Sequence, residues 1–138
     1  MKHLVLIRAI LVFSALVSFS CETNRGEIIP YARVDEYLLI YSDLAALGVL
    51  ETKFVNGGVN GLVIFRESDL EFRAFDRTCT RWPEHNAAVV EDTLALRCPH
   101  CGSIYVPSLG ASPVSGPAVH ALIEYNTSLQ GDVLHIYN

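Results

Sequence analysis

Leu62-Val63-Ile64-Phe65-Arg66, then Glu67-Ser68-Asp69, then Leu70-Glu71-Phe72-Arg73-Ala74-Phe75, is the stretch that sets the fold class of this chain. Two short runs of apolar and β-forming residues flank a polar triplet, which is the pattern of an antiparallel hairpin. In the second run Leu70, Phe72 and Ala74 alternate with Glu71, Arg73 and Phe75, a period of two that gives a strand one largely apolar face. Each run is too short for an amphipathic helix.

The same grammar continues on both sides. Upstream, Asn56-Gly57-Gly58-Val59-Asn60-Gly61 is dense turn chemistry, because glycine takes positive φ without penalty. It follows a strand at Thr52–Val55, and the apolar run Val34–Tyr41 predicts another, with Asp43–Leu50 between them as loop. Downstream, Ala87–Val90 and Thr93–Arg97 flank Glu91-Asp92 as a tight hairpin whose second strand delivers Cys98. Ser103–Val106 is a further strand. Pro107–Pro117, with three prolines and two glycines, reads as an ordered loop. Ala121–Tyr125 and Val133–Tyr137, joined across Gln130-Gly131-Asp132, close the domain as a last hairpin. About eight to ten short strands with closely spaced turns predict an all-β sandwich or small barrel.

The N-terminus stands apart from this pattern. Lys2 and Arg8 precede the apolar run Ala9–Phe19, and Ser20 precedes Cys21. A charged start, a short apolar core and a small residue before a cut are the marks of a secretory signal. With cysteine after the cut, the segment resembles a bacterial lipoprotein signal, in which that thiol is lipidated. The expected organisation is therefore a signal peptide over 1–20, a polar tether over 21–29 and one domain over 30–138. The chain would be exported and anchored in the cell envelope through Cys21. Removal of Lys2 and Arg8 from ten basic side chains leaves eight against fifteen acidic ones, a formal −7. Such a balance, without a basic cluster, excludes nucleic acid as a partner and leaves the lipid as the membrane attachment.

The chemistry concentrates in the cysteines. With Cys21 used for lipidation, Cys79, Cys98 and Cys101 remain of four. An odd number suits a metal site that needs one further ligand, and Cys98-Pro99-His100-Cys101 places two thiolates at metal-ligand spacing. Metal-free pairing of two of the three as a disulfide is the alternative.

Three segments in order carry a more specific resemblance. They are Ala74-Phe75-Asp76-Arg77-Thr78-Cys79-Thr80, Cys98-Pro99-His100-Cys101-Gly102-Ser103-Ile104-Tyr105 and Gly116-Pro117-Ala118. Together they resemble the Rieske iron–sulfur domain, and more narrowly the Rieske-like lipoproteins of Bacteroidota-type bacteria. The resemblance implies an antiparallel β-sandwich with a small subdomain of two cluster-binding loops, covered by a Gly-Pro loop. It also implies a [2Fe–2S] cluster, single-electron transfer and a redox or envelope protein partner. In the family each loop gives one Cys and one His, the cysteines on one iron and the histidines on the other. Cys79 and Cys98 match the cysteine positions, and Ser103 matches a serine whose hydroxyl bonds a cluster sulfur.

Both histidine positions differ. Arg81, which cannot be a ligand, stands at the first, and Cys101 stands at the second with His100 shifted toward Cys98. Cys101 is then a third thiolate, and His85 in Trp82-Pro83-Glu84-His85 is the candidate fourth ligand. A thiolate in place of an imidazole lowers a cluster's potential, and three cysteines with one histidine suit Zn2+ equally. His120 and His135 are expected at or near the surface, and Asp76-Arg77 as an ion pair at a strand end. The chain has no nucleophile–base pair, H-E-x-x-H or phosphate loop, which points to an electron carrier or accessory subunit rather than an enzyme by itself. The second reading is a structural or binding module of the same fold with zinc or no metal.

Overall fold

The structure, a computed structural model, describes residues 28–138. The signal segment 1–20, Cys21 and most of the tether 21–29 lie outside the described residues. Among the described residues ten strands form two antiparallel sheets, and the fold is all-β. They are β1 (Asp35–Leu39), β2 (Thr52–Val55), β3 (Leu62–Arg66), β4 (Phe72–Asp76), β5 (Val90–Asp92), β6 (Ala95–Arg97), β7 (Ile104–Val106), β8 (Ser112–Ser115), β9 (Glu124–Gln130) and β10 (Val133–Tyr137). The larger sheet runs β1-β10-β9-β4-β3-β2 and the smaller β5-β6-β7-β8. Lys53 on β2 donates to the carbonyl of Asp43, beyond β1, at 2.5 Å, so the two free edges of the larger sheet curl toward each other.

The opening hairpin lies at the centre of this arrangement. In β3 both faces are buried: Val63 and Phe65 enter one core, Leu62 and Ile64 the other. That explains a continuous apolar run where a one-faced strand would alternate. β4 behaves likewise, with Phe75 in the first core and Phe72 and Ala74 in the second. Leu70, expected on its apolar face, lies before the strand and is exposed. The first core fills the space between the sheets and includes Cys79, Cys98, Leu96 and Tyr105; the second fills the inside of the curl with Leu134, Ile136 and Tyr125.

Three boundaries differ from expectation. Ala87–Val89 does not join the small sheet. Its backbone pairs back on Arg77–Cys79, which closes the first cysteine loop. The hairpin turn is accordingly at Thr93-Leu94, with Thr93 at φ +58°, and Glu91-Asp92 belong to β5. Pro107–Pro117 is not all loop, since it holds a 3-10 turn over Pro107–Leu109 and the strand β8. Pro113 is tolerated there because β8 is a sheet edge and lies beside a register shift in β7. The last hairpin begins later, at Glu124, and turns at Gly131-Asp132.

Candidate metal centre

Two loops carry the site, and each grows from a closed neck. The first leaves β4. Cys79 N–H donates to the Ala87 carbonyl at 2.8 Å and Val89 N–H to Arg77 at 2.8 Å, so residues 80–86 are held out as an excursion. At its base the carboxylate of Asp76 is fully buried and accepts four hydrogen bonds. The donors are Val59 N–H (2.7 Å), Thr78 N–H (2.8 Å), the Thr78 hydroxyl and the Tyr125 hydroxyl (2.9 Å). Asp76 is therefore not an ion-pair partner of Arg77. Arg77 instead donates to the Val89 carbonyl and lies 4.0 Å over the Phe54 ring.

The second loop links β6 to β7. Cys98 N–H donates to the Ser103 carbonyl (2.8 Å) and Gly102 N–H to the Cys98 carbonyl (2.9 Å), with Gly102 at φ +75°. This turn brings Cys98 and Cys101 to the same side. A third segment lies on top. Ala118 N–H donates to Ser103 Oγ at 3.0 Å, and Gly116 approaches so closely that a Cβ there would stand 2.5 Å from Ser103 Cα.

The sulfurs of Cys79, Cys98 and Cys101 all lie within 4.8 Å of one another, and Cys79 Sγ is 3.6 Å from Cys101 Sγ. Cys79 and Cys98 are buried and Cys101 is half-buried; none is in a disulfide. Burial pushes the Cys98 thiol up to about 12, against the opposing pull of the Cys101 and His100 backbone N–H groups. Burial also works against ionisation of Cys101. Hydrogen bonding from the Ser103 side chain and backbone, with help from the other two cysteines, outweighs it and holds that thiol below its ordinary value. Ser103 Oγ is 3.1 Å from the sulfur, accepting from the thiol and able to donate to the thiolate.

Tyr105 and Thr80 were not singled out as site residues by sequence. Tyr105, fully buried, puts its hydroxyl 3.4 Å from Cys79 Sγ and 3.2 Å from Thr80 Oγ1, and Thr80 donates to the His120 carbonyl at 2.6 Å. Burial and the neighbouring Cys79 hold the Tyr105 phenol above its usual range. The available signal was Tyr105's place two residues after Ser103, on the strand that leaves the cysteine loop.

His85 does not join the sulfur cluster. It ends the 3-10 turn Pro83–His85, is exposed, and stacks on His100 with ring centres 4.9 Å apart. His120 is exposed at the surface. His135 lies on the outer sheet face between Tyr37 and Tyr137, its Nε2 2.8 Å from Asp35 Oδ1. Comparison with models of protein families and with curated proteins gives no match for this chain.

Proposed function

We propose that the chain is a metal-binding module in which Cys79, Cys98 and Cys101 hold one ion between the two loops. The observation that carries this reading is the mutual approach of the three sulfurs within 4.8 Å. Metal–sulfur bonds of about 2.3 Å put two thiolates on one tetrahedral ion about 3.8 Å apart, whereas thiolates on the separate irons of a [2Fe–2S] cluster stand roughly 5 Å or more apart. The 3.6 Å between Cys79 and Cys101 fits the first spacing. Soft thiolates select Zn2+, Cu+ or iron, and with three protein ligands the fourth position falls to water or an exchangeable donor.

The Rieske-like [2Fe–2S] electron carrier is the second reading. What favours it is the assembly of two loops, with Ser103 beside a sulfur and Gly116-Pro117 lying on the second loop. Metal analysis and spectra of protein purified under reducing conditions separate the two. One equivalent of metal, with an intense thiolate-to-cobalt band after Co2+ substitution, supports the single-ion site. Two irons with acid-labile sulfide and visible absorption would replace it with the cluster. Export and lipid attachment at Cys21 belong to the same proposal. Incorporation of a labelled fatty acid that Cys21→Ser abolishes is the expected result, and its absence from the wild type would remove the anchor.

A further inference from the structure

Outside the sulfur cluster, the two cysteine loops meet a second time through histidine. His85 comes from the tip of the first loop and His100 from between the two cysteines of the second. Both are exposed, their ring centres are 4.9 Å apart, and the planes are inclined by 27°. Trp82 stands edge-on to both rings at 5.8 Å, which backs the pair on one side. We propose that His85 and His100 form a second, solvent-facing metal site, separate from the three thiolates, that takes one exchangeable borderline divalent cation such as Zn2+ or Ni2+.

The geometry carries this reading. Two imidazoles on one ion, with metal–nitrogen bonds of about 2.0–2.1 Å, place their ring centres roughly 4.5 to 5.2 Å apart. The observed separation falls inside that range, and turning the two stacked rings from face-on to edge-on would aim one nitrogen of each at a shared ion. Imidazole is the donor that suits zinc, nickel and copper alike. With two protein ligands and water elsewhere, the site binds more weakly than the thiolates and exchanges with solvent. Its position within one residue of Cys101 puts it at the solvent side of the sulfur site.

The single tryptophan of the chain makes this testable, because Trp82 is the residue that touches both rings. Zinc is first added to one equivalent to fill the thiolates, and Ni2+ is then titrated near neutral pH while tryptophan fluorescence is followed. The expected result is saturable quenching at one further equivalent. Removing an outer partner of a metal ligand already costs about tenfold in affinity or more, so His85→Gln and His100→Gln should each weaken Ni2+ by at least that. In both variants the thiolate-to-cobalt band, measured separately, should persist. In unsubstituted protein whose thiolates are filled with zinc, substoichiometric Ni2+ should broaden the ring resonances of His85 and His100 before those of His120 and His135. Quenching that does not saturate, that survives in the double variant, or that comes without selective broadening overturns the proposal. A missing cobalt band would refute the thiolate site and leave the histidine result standing.

Discussion

Asp76 is one residue on which the first cysteine loop depends. A carboxylate removed from water is costly unless its lone pairs are filled, and here donors from the 56–61 turn, from Thr78 and from β9 fill them. Tyr125→Phe deletes one of those donors and should destabilise the fold by about 1–3 kcal/mol in urea unfolding. The same pair sets an alkaline limit. Burial, then the negative charge of Asp76, raises the Tyr125 phenol above its ordinary value. A group whose folded value is raised contributes fully below its unfolded value, about pH 10 for tyrosine, and the contribution is lost as pH rises through the folded one. Loss of stability above about pH 10 should therefore be shallower in Tyr125→Phe than in the parent chain. Gly58 belongs to the same network, at φ +60°, where a Cβ would collide with Asp76 Oδ2. Gly58→Ala thus combines strain with a broken carboxylate site, and far-ultraviolet dichroism on heating should show an earlier transition. Ser103 is the matching residue of the second loop. Ser103→Ala leaves Ala118 N–H without its partner and should cost about 1–3 kcal/mol, while cobalt still binds the three sulfurs.

Among the elements, the segment over the site and the turn inside it use glycine for different reasons. Gly102 takes φ +75° with open space around it, so Gly102→Ala meets backbone strain alone, about 1–2 kcal/mol. Gly116 takes φ +88° directly against the Ser103 backbone, so Gly116→Ala must also lift the covering segment off the second loop. The expected outcome is that Gly116→Ala weakens cobalt affinity in chelator competition more than Gly102→Ala does. Equal effects would mean that the covering segment does not hold the second loop in place. The element boundaries follow the same logic. Ala87–Val89 has the composition of a strand, but its backbone groups close the first loop, and the small sheet begins only afterwards.

For the whole molecule, the site joins two sheets. Cys79 follows β4 of the larger sheet, Cys98 and Cys101 follow β6 of the smaller, and the core between the sheets contains Cys79 and Cys98. An ion bound to the folded state alone stabilises it by about 2.7 kcal/mol at a hundredfold excess over its dissociation constant. A chelator should therefore lower the melting temperature of the metal-loaded chain, and Cys79→Ser should abolish that difference. Without metal, Cys79 and Cys101, with sulfurs 3.6 Å apart, are poised to oxidise. With oxidised glutathione as the disulfide donor, exchange at Cys79 and Cys101 forms one protein disulfide and releases two reduced glutathione molecules. Peptide mapping should recover the Cys79–Cys101 link from stripped protein and much less of it from zinc-loaded protein.

The sequence by itself determined the all-β class, because runs of four or five apolar and β-forming residues between polar turns can bury themselves in few other ways. The ranges Thr52–Val55, Leu62–Arg66 and Val133–Tyr137 were legible to the residue for that reason. It also marked Cys98 and Cys101 as a candidate ligand pair, since one short loop holds them at ligand spacing, and the three-segment resemblance added Cys79 as an expected partner. Only the tertiary structure decided that Cys79, nineteen residues before Cys98, comes within reach of both. That approach depends on the packing of one sheet on the other, which no local pattern encodes. Tertiary structure likewise put Tyr105 and Thr80 beside the sulfur, filled the carboxylate of Asp76 from distant donors, and paired His85 with His100 outside the cluster. Each of these rests on contacts between segments far apart in the chain, and their chemistry exists only once the two loops face each other.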